Sequence, residues 1–239
     1  MAAPQKVLIV KLSSLGDVVH SMPALQDLRQ VLPEAEIDWV VERAFAPLVA
    51  RCFGVGRVIA CDLRRWRKAW WSAQTRREWA EFKATLQAQS YDAVIDLQGL
   101  SKSALVAWLA RTSATGRRYG LAHATEGSSF EAPARWVADV AIAMEPHVHA
   151  VQRGRLLCAQ ALDYVLPDTL TYGLVPGTLA APRPVARASS NPFLARKPLV
   201  ALVHGSSRAD KQWPQACWVA LGQHLNRNGY ALALAHGNA

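Results

Sequence analysis

The chain has 239 residues, 51% of them hydrophobic, so it is long enough for one large domain or two small ones around a packed core. No apolar run approaches the roughly 20 residues of a membrane-spanning helix, so no such helix is predicted. The four cysteines are far apart and form no CxxC pair, which argues against a zinc site or a disulfide framework. The N-terminus leads into a strand pattern without a signal-peptide apolar segment, so we expect the cytosol.

Basic residues outnumber acidic ones, with 27 Lys and Arg against 18 Asp and Glu and a formal net charge of +9. The segment from Arg51 to Lys83 alone holds nine basic and three acidic residues and supplies +6 of that charge. Such a local excess predicts an anionic partner, which can be nucleic acid, an acidic lipid surface or an acidic sugar.

In chain order, short apolar runs rich in β-branched residues alternate with longer helical patterns. Strands are predicted at Val7–Val10, Ile37–Val41, Arg57–Ala60 and Ala93–Leu97. Helices are predicted from the first strand–helix joint to about Val31, over Ala73–Gln89 and over Lys102–Arg111. The alternation predicts an α/β fold with a doubly wound parallel sheet.

A stretch rich in Pro, Ala and Ser, Val175–Lys197, has no hydrophobic periodicity and is predicted to be a linker. After it the α/β pattern restarts, with strands at Leu199–Val203 and Tyr230–Leu234 on either side of a helix at Pro214–Asn228. Because two strands and one helix cannot cover both faces of a parallel sheet, the second unit is predicted to be incomplete within these residues.

The first strand–helix joint lies in VLIVKLSSLGDVVHSMPAL, residues 7–25, and carries polar residues where open α/β sheets bind ligands. Asp17 is placed at a helix N-terminus, whose dipole favours an ionised carboxylate that can accept a proton. Ser13, Ser14 and Gly16 would bring hydroxyls and open backbone close to a ligand. The alternative is that Asp17 only caps the helix, and the joint has no GxGxxG dinucleotide fingerprint.

The segment HGSSRADKQWP, residues 204–214, also follows a predicted strand and precedes a helix. Ser206 and Ser207 offer hydroxyls and backbone N–H groups, and Lys211 offers a cation, which together suit a phosphate ester. The segment lacks the GxxxxGK[ST] pattern of a Walker-type site. A solvated loop with a capping serine is an equally good interpretation of these residue types.

The segment DLRRWRKAWW, residues 62–71, interleaves Arg64, Arg65, Arg67 and Lys68 with three tryptophans. Guanidinium groups suit carboxylates and phosphates. The tryptophans can lie at a membrane interface, stack on sugar rings or pack inward. The interleaving favours a binding surface over an ordinary solvated helix face.

Two smaller features are open to more than one interpretation. Gln98 and Gly99 follow the strand Ala93–Leu97, so they either line the same crevice as Asp17 or only form a strand-end turn. His149 precedes a helix in the segment HAVQR and fits a ligand contact or a helix cap.

Together these motifs resemble the lipopolysaccharide heptosyltransferase family, glycosyltransferase family 9. The matching segments, in family order, are VLIVKLSSLGDVVHSMPAL, IDWVVE, RRWRKAW, YDAVIDLQGLSKSAL, HAVQR and HGSSRADKQWP. RRWRKAW with VIDLQG favours the first heptosyltransferase over its relatives. The resemblance implies a GT-B fold of two Rossmann-like domains, the second truncated: an acceptor-binding domain at residues 1–175, a linker at 176–197 and the beginning of an ADP-heptose-binding domain at 198–239.

The resemblance also implies a reaction. L-glycero-D-manno-heptose would pass from ADP-heptose to a Kdo residue of Kdo2-lipid A in inner-core biosynthesis, with inversion at the anomeric carbon and without a metal or other cofactor. The implied location is the cytoplasm, peripheral on the cytoplasmic face of the inner membrane, and no nucleic acid partner is expected.

The resemblance assigns roles to residues in three groups. Asp17 takes the position of the general base that deprotonates the acceptor hydroxyl. The donor diphosphate contacts are Ser206, Ser207 and Lys211. The acceptor side comprises Ser13, Ser14, Gly16, Gln98 and Gly99, with Arg64, Arg65 and Lys68 holding acidic sugars or lipid phosphates.

Two departures from the family pattern shape the expectations. The family's Asp-Thr-Gly…His motif, which grips ADP-heptose, is not among these 239 residues, so we expect weak or no transfer by this chain. In the acceptor loop near Arg117–Phe130, where the family often has an Arg-Glu pair, this chain has Thr125 and Glu126.

Two other functions compete with sugar transfer. An anion-binding module would use the basic tryptophan-rich segment on a membrane or nucleic acid, although no helix-turn-helix, RRM or zinc-finger spacing is present. A nicotinamide oxidoreductase rests on the α/β pattern alone, which does not specify function.

Overall fold

The structure is a computed structural model that describes residues 4–175, 197–203, 205 and 212–234. The chain divides into two compact units, residues 1–177 and 178–239. Each unit is built from alternating strands and helices and is considered by itself.

The first unit contains six strands and seven α-helices among the described residues. The strands are β1 (Lys6–Val10), β2 (Glu36–Glu42), β3 (Val58–Cys61), β4 (Ser90–Asp96), β5 (Arg111–Leu121) and β6 (Val140–Ile142). The helices are α1 (Leu15–Val31), α2 (Ala46–Val49), α3 (Leu63–Lys68), α4 (Ala73–Leu86), α5 (Ser101–Leu109), α6 (Ala132–Val137) and α7 (Ala150–Leu162). A 3-10 turn at Arg43–Phe45 leads into α2.

The six strands form one sheet in the order β3-β2-β1-β4-β5-β6, and every neighbouring pair is parallel. This is the doubly wound arrangement, and it confirms the predicted α/β fold class. The direction of winding changes between β1 and β4, whose last residues Val10 and Asp96 are paired in register. A crevice opens beyond the carboxyl ends of strands at such a point, which makes it the expected ligand site.

The two faces of the sheet carry separate hydrophobic cores, because successive residues of a strand point to opposite sides. Val7 and Ile9 of β1 pack with α1 and α7, whereas Leu8 and Val10 pack with α3, α4 and α5. All four of these β1 side chains are fully buried. Burial on both faces explains why the β1 sequence is a continuous apolar run instead of an alternating one.

A buried ion pair fixes α7 beside α1. Arg155 of α7 donates to the Asp27 carboxylate of α1 at 2.7 and 3.0 Å, and both side chains are only 3% exposed. Gly154 faces Ala24, where a Cβ would lie 3.9 Å from the alanine methyl, so the two helices approach closely. Removing one partner of such a pair costs about 3–5 kcal/mol, so this contact holds α7 against α1.

The predicted strands and helices are present in the structure, and they differ from it at some of their ends. The predicted helix Lys102–Arg111 ends at Leu109, because Ala110 is extended and Arg111 begins β5. The helix predicted over Ala73–Gln89 ends at Leu86. The elements α2, α3, β5, α6 and β6 were not predicted. Among the described residues, no helix combines the length and apolar character needed to cross a bilayer.

In the second unit, β7 (Leu199–Leu202) and β8 (Ala231–Leu234) form a parallel pair, with α8 (Gln215–Arg227) between them in sequence. These three elements match the predicted ones within two residues at each end. The four cysteines are free, as the sequence predicts: Cys52, Cys61 and Cys158 are buried and Cys217 is half-buried.

Candidate active site

Asp17 lies at the carboxyl edge of the sheet, in the first turn of α1. Its Oδ2 atom accepts hydrogen bonds from the Ser14 backbone N–H at 2.9 Å and from the Ser14 hydroxyl at 2.7 Å. These bonds form a helix cap, so the capping interpretation of Asp17 is correct as far as Oδ2 is concerned. The described residues offer no hydrogen bond to Oδ1, so the carboxylate keeps accepting capacity.

The electrostatic surroundings keep Asp17 ionised. Partial burial by itself would raise the pKa of the carboxyl, but the two bonds from Ser14 and the charges of Lys11 and His20 outweigh burial, and the pKa lies below its usual value. A carboxylate must be unprotonated to accept a proton, and Asp17 meets that condition throughout the neutral range.

The Gln98 side chain joins the end of β4 to the loop after β1. Its Oε1 atom accepts hydrogen bonds from the backbone N–H groups of Leu12 at 2.7 Å and Ser13 at 3.3 Å. Lys102, in the first turn of α5, donates from Nζ to the Ser13 hydroxyl at 2.6 Å. These contacts hold the loop before Asp17 in place, so Gln98 has a structural role in this edge of the sheet.

The turn after β4 is built on a buried carboxylate. Asp96 accepts from the backbone N–H groups of Gln98 at 2.8 Å and Gly99 at 3.2 Å, and from the Ser103 hydroxyl at 2.9 Å. Gly99 has a φ of +76°, a backbone conformation that favours glycine. The predicted strand-end turn therefore exists, and Gly99 is buried within it.

A polar cavity of about 110 Å³ lies against this edge of the first unit. The residues that carry its chemistry are Lys11, Ser13, Asp17, Gln98, Ser128 and Arg153. Of the predicted residues, Asp17, Ser13 and Gln98 line this cavity, whereas Ser14 and Gly16 are exposed beside it and Gly99 lies beneath the turn. We call it the edge cavity.

Arg153 is a residue of the edge cavity that the sequence interpretation did not single out. It lies one turn into α7, and its Nη1 atom donates to the Thr125 hydroxyl at 2.9 Å and, at 3.4 Å, to the carbonyl of Glu126. Arg153 is the last residue of the segment HAVQR, in which the sequence indicated only His149 as a candidate. His149 caps α7 by accepting from the Val151 N–H at 3.3 Å and is exposed, so its capping interpretation fits.

The basic tryptophan-rich segment forms α3 and part of the turn that precedes α4, and its arginines differ in their contacts. Arg65 donates to Asp62 at 2.6 Å and forms a second ion pair with Glu78. Glu78 also accepts from the Trp66 indole at 2.7 Å, and these bonds lower the pKa of Glu78 to about 2. Arg65 therefore connects α3 to α4, and it would have to give up these bonds to hold an acceptor.

A wide groove of about 730 Å³ lies between α3, α4 and α5. Its apolar floor includes the buried Trp66, which packs edge-on against Trp79 at 5.7 Å between ring centroids. The cations along it are Arg64, Arg67, Arg76 and Lys102. We call it the basic groove. The exposed Lys68 does not line it, and Lys102 is the residue that belongs to the groove and also contacts the edge-cavity residue Ser13.

The predicted donor-diphosphate residues cannot be placed in the same way. Ser206, Ser207 and Lys211 lie outside the described residues. The helix that was predicted to follow them is present as α8, which begins at Gln215 directly after Pro214. Their role stays a prediction from sequence.

Comparison with known proteins identifies the family. The family model described as glycosyltransferase family 9 (heptosyltransferase) matches residues 79–239. Lipopolysaccharide heptosyltransferase 1 of Pseudomonas aeruginosa is 39% identical over 98% of this chain and 61% of its own length. The Escherichia coli K12 protein of the same name is 38% identical over 97% of this chain and 68% of its own length.

Solved structures agree with the sequence comparison. The Escherichia coli heptosyltransferase WaaC with ADP matches with a TM-score of 0.77 and 36% identity, over 98% of this chain and 68% of that one. The same protein with ADP-2-deoxy-2-fluoro heptose matches with a TM-score of 0.75. The chain thus spans about three fifths to two thirds of the length of these relatives and has their GT-B type of α/β architecture. It belongs to glycosyltransferase family 9, the heptosyltransferases.

Proposed function

We propose that this chain provides the acceptor-binding part of a heptosyltransferase that moves L-glycero-D-manno-heptose from ADP-heptose to a Kdo residue of Kdo2-lipid A. The observation that carries the proposal is the ionised Asp17 on the edge cavity, with Lys102 contacting both the cavity and the basic groove. The relatives named lipopolysaccharide heptosyltransferase 1, and a relative solved with an ADP-heptose analogue, support this donor and this class of product.

In the proposed reaction Asp17 is the general base. The acceptor oxygen attacks the anomeric carbon of heptose from the face opposite ADP, the bond to the diphosphate oxygen breaks, and the configuration inverts. Asp17 receives the proton of the hydroxyl. Because its lowered pKa makes it a weak base, the proton moves once the new carbon–oxygen bond has made the hydroxyl strongly acidic.

The basic groove is the proposed contact for the acidic acceptor. Arg64 lines it directly, while Arg65 and Lys68 flank it on the same short helix. An acceptor that carries sugar carboxylates and lipid phosphates offers several anions to Arg64 and the other cations that line the groove, whereas Arg65 is held by Asp62 and Glu78. Exposed tryptophans beside the groove, Trp70 and Trp71, support docking on the membrane surface that holds the acceptor lipid, with the protein on its cytoplasmic face.

Donor binding is assigned to the later part of the chain. Ser206, Ser207 and Lys211 would steady the leaving diphosphate, in a donor domain that begins at 198 after a linker at 176–197. The acceptor domain would comprise residues 1–175, with Ser13, Ser14, Gly16, Gln98 and Gly99 supporting the acceptor side. Because the family's Asp-Thr-Gly…His motif is not in this sequence, we expect this chain to bind donor weakly and to transfer slowly or not at all.

The alternative of an anion-binding module is less well supported. The basic groove would suit nucleic acid as well as an acidic lipid by charge alone. However, the family match and the relatives that align over almost the whole chain favour the sugar-transfer function.

Calorimetric titration tests the proposed function. The chain should bind a deacylated Kdo2-lipid A core at physiological salt more tightly than a DNA or RNA duplex, while ADP-heptose binds weakly. Preference for the duplex would contradict the proposal and support the nucleic-acid module. Tight binding of ADP-heptose would contradict the expectation that donor binding requires the Asp-Thr-Gly…His motif.

A further inference from the structure

Two cations of the edge cavity are buried without a carboxylate partner. Lys11 is 8% exposed and Arg153 is 9% exposed. In the described part of the chain, neither forms an ion pair with a carboxylate. Burying a charge is costly unless it is paired, so such positions require an explanation.

The hydrogen bonds that these two side chains do make are few. Lys11 donates from Nζ to the Leu97 carbonyl at 2.9 Å. Arg153 uses only Nη1, toward Thr125 and Glu126, so the described residues leave its Nη2 and Nε donors for other partners. Arg155, two residues further along α7, is by contrast fully engaged with Asp27 and with the carbonyls of Pro167 and Thr169.

Burial, and not the neighbouring charges, is the main cause of the pKa shift at Lys11. It lowers the pKa of Lys11, while Asp17 and Asp96 raise it and Arg153 and Lys102 lower it by less. Burial also lowers the pKa of Arg153. The Asp17 carboxylate already accepts two bonds from Ser14, and Asp96 already accepts three from its own turn. An anion that enters the cavity would pair with the donors of Lys11 and Arg153 that the described residues leave open.

We infer that Lys11 and Arg153 form a binding pocket for the carboxylate of the acidic acceptor sugar, and this inference rests on the proposed function. A guanidinium with two free donor atoms suits a planar carboxylate. The cavity volume of about 110 Å³ accommodates a carboxylate with its neighbouring carbons. Since Asp17 lines the same cavity, a sugar held by its acid group would present a hydroxyl toward the proposed base.

The pocket makes a prediction about specificity that a purely structural Arg153 does not. The binding step would select a sugar acid over a neutral sugar, because an uncharged ligand leaves both cations buried and unpaired. An arginine that only anchors the loop around Thr125 would weaken both ligands alike when it is replaced.

The test compares a charged ligand with a neutral one that differs by a single methyl group on the carboxyl. Kdo and its methyl ester are titrated into the wild-type chain and into Arg153→Gln, and binding is followed by NMR. The wild type should prefer the acid by about tenfold or more, and Arg153→Gln should bind acid and ester nearly equally. Arg111→Gln is the matched control, because it removes the same charge from the opposite edge of the sheet, where Arg111 pairs with Ser90.

Further outcomes separate the pocket from the proposed reaction. Arg153→Lys keeps the charge and should retain part of the preference. It serves as the test variant if thermal unfolding shows that Arg153→Gln is not folded. If Arg153→Gln keeps the wild-type preference for the acid, the proposal that Arg153 binds the sugar carboxylate is wrong. Inorganic phosphate that displaces Kdo at equal concentration would also overturn it, in favour of a phosphate site. If the preference is present but the chain binds a DNA or RNA duplex more tightly than the deacylated Kdo2-lipid A core, the pocket stands and the proposed function fails.

Discussion

The edge cavity and the basic groove are both cationic, yet they differ in size, exposure and pairing. The edge cavity measures about 110 Å³ and is lined by buried side chains such as Lys11 and Arg153. The basic groove measures about 730 Å³ and has exposed arginines along an apolar floor. Each region uses the same kinds of residue for a different physical task.

The two regions therefore differ in how strongly a single charged side chain can influence a bound ligand. In a small cavity lined by buried side chains each charge interacts strongly, so one carboxylate or one arginine can orient a ligand. In a wide, hydrated groove each exposed ion pair contributes about 0–1 kcal/mol, so affinity comes from several contacts together. Lys102 links the two because it lines the groove and donates to Ser13 of the cavity.

The largest expected effect concerns the floor of the basic groove. Trp66→Ala should lower the free energy of unfolding by about 3–5 kcal/mol, because it removes a buried ring that packs on Trp79 and Phe82. Trp70→Ala is the matched control, and because Trp70 is 68% exposed it should change stability by less than about 0.5 kcal/mol. Denaturant unfolding measures both, and equal losses would show that the groove has no structural floor.

The next effect concerns the residue between the two regions. Lys102→Met should weaken binding of the deacylated acceptor by about tenfold, because a charge-assisted contact is lost at a half-buried position. Burial lowers the pKa of Lys102, and repulsion from Arg64 adds to this shift. Since only the protonated amine holds an anion, acceptor affinity should fall as pH rises through that lowered pKa.

Lys102→Arg separates this titration from that of Lys11. The guanidinium stays charged, so the alkaline loss of affinity should become shallower, with only Lys11 still titrating. Acceptor titrations across the alkaline range measure the two profiles. Identical profiles for the wild type and Lys102→Arg would remove Lys102 from acceptor binding.

The smallest effects distinguish two neighbouring arginines of the groove. Arg64→Gln should weaken acceptor binding by about two- to fivefold with little change in stability, as expected for an exposed ion pair. Arg65→Gln should lower stability only slightly, because Asp62 and Glu78 lose an exposed partner, and should leave acceptor affinity nearly unchanged. Calorimetry measures the acceptor affinity of both variants, and denaturant unfolding measures their stability. A larger loss of affinity in Arg65→Gln than in Arg64→Gln would show that Arg65, and not Arg64, is the main acceptor contact.

Local sequence patterns were sufficient for the strands at the centre of the sheet. Residues of β1 and β4 are buried on both faces, so their apolar runs are unambiguous. The strand β5, RTSATGRRYGL, was not predicted because most of its residues are half-buried or exposed and two glycines interrupt it. Its place in the sheet depends on pairing with β4 across a register shift, which no local pattern reveals.

The residues of the candidate site also differ in whether a local sequence pattern reveals them. Asp17 was found from sequence because it sits at the joint between an apolar strand and a helix, a local signal. Arg153 was not, because α7 reaches the first turn of α1 only through packing between distant segments, such as the Asp27–Arg155 pair. The separate behaviour of Arg64 and Arg65 likewise depends on Glu78 of the next helix.

The most direct test of Asp17 as the general base is a single turnover of the slow heptose transfer that is the most we expect of this chain. It is measured with the chain in large excess over the acceptor and with ADP-heptose at a concentration high enough to offset weak donor binding. Asp17→Asn keeps an oxygen that can accept from Ser14, so it preserves the helix cap while removing the base. Ser14→Ala is the converse control, since it removes a capping hydroxyl and keeps the carboxylate. Asp17→Asn should slow this transfer by about 10²–10⁴-fold while acceptor binding is retained, and Ser14→Ala should have a far smaller effect. Measurable transfer by the wild-type chain that Asp17→Asn matches in rate would contradict the role of Asp17 as the base.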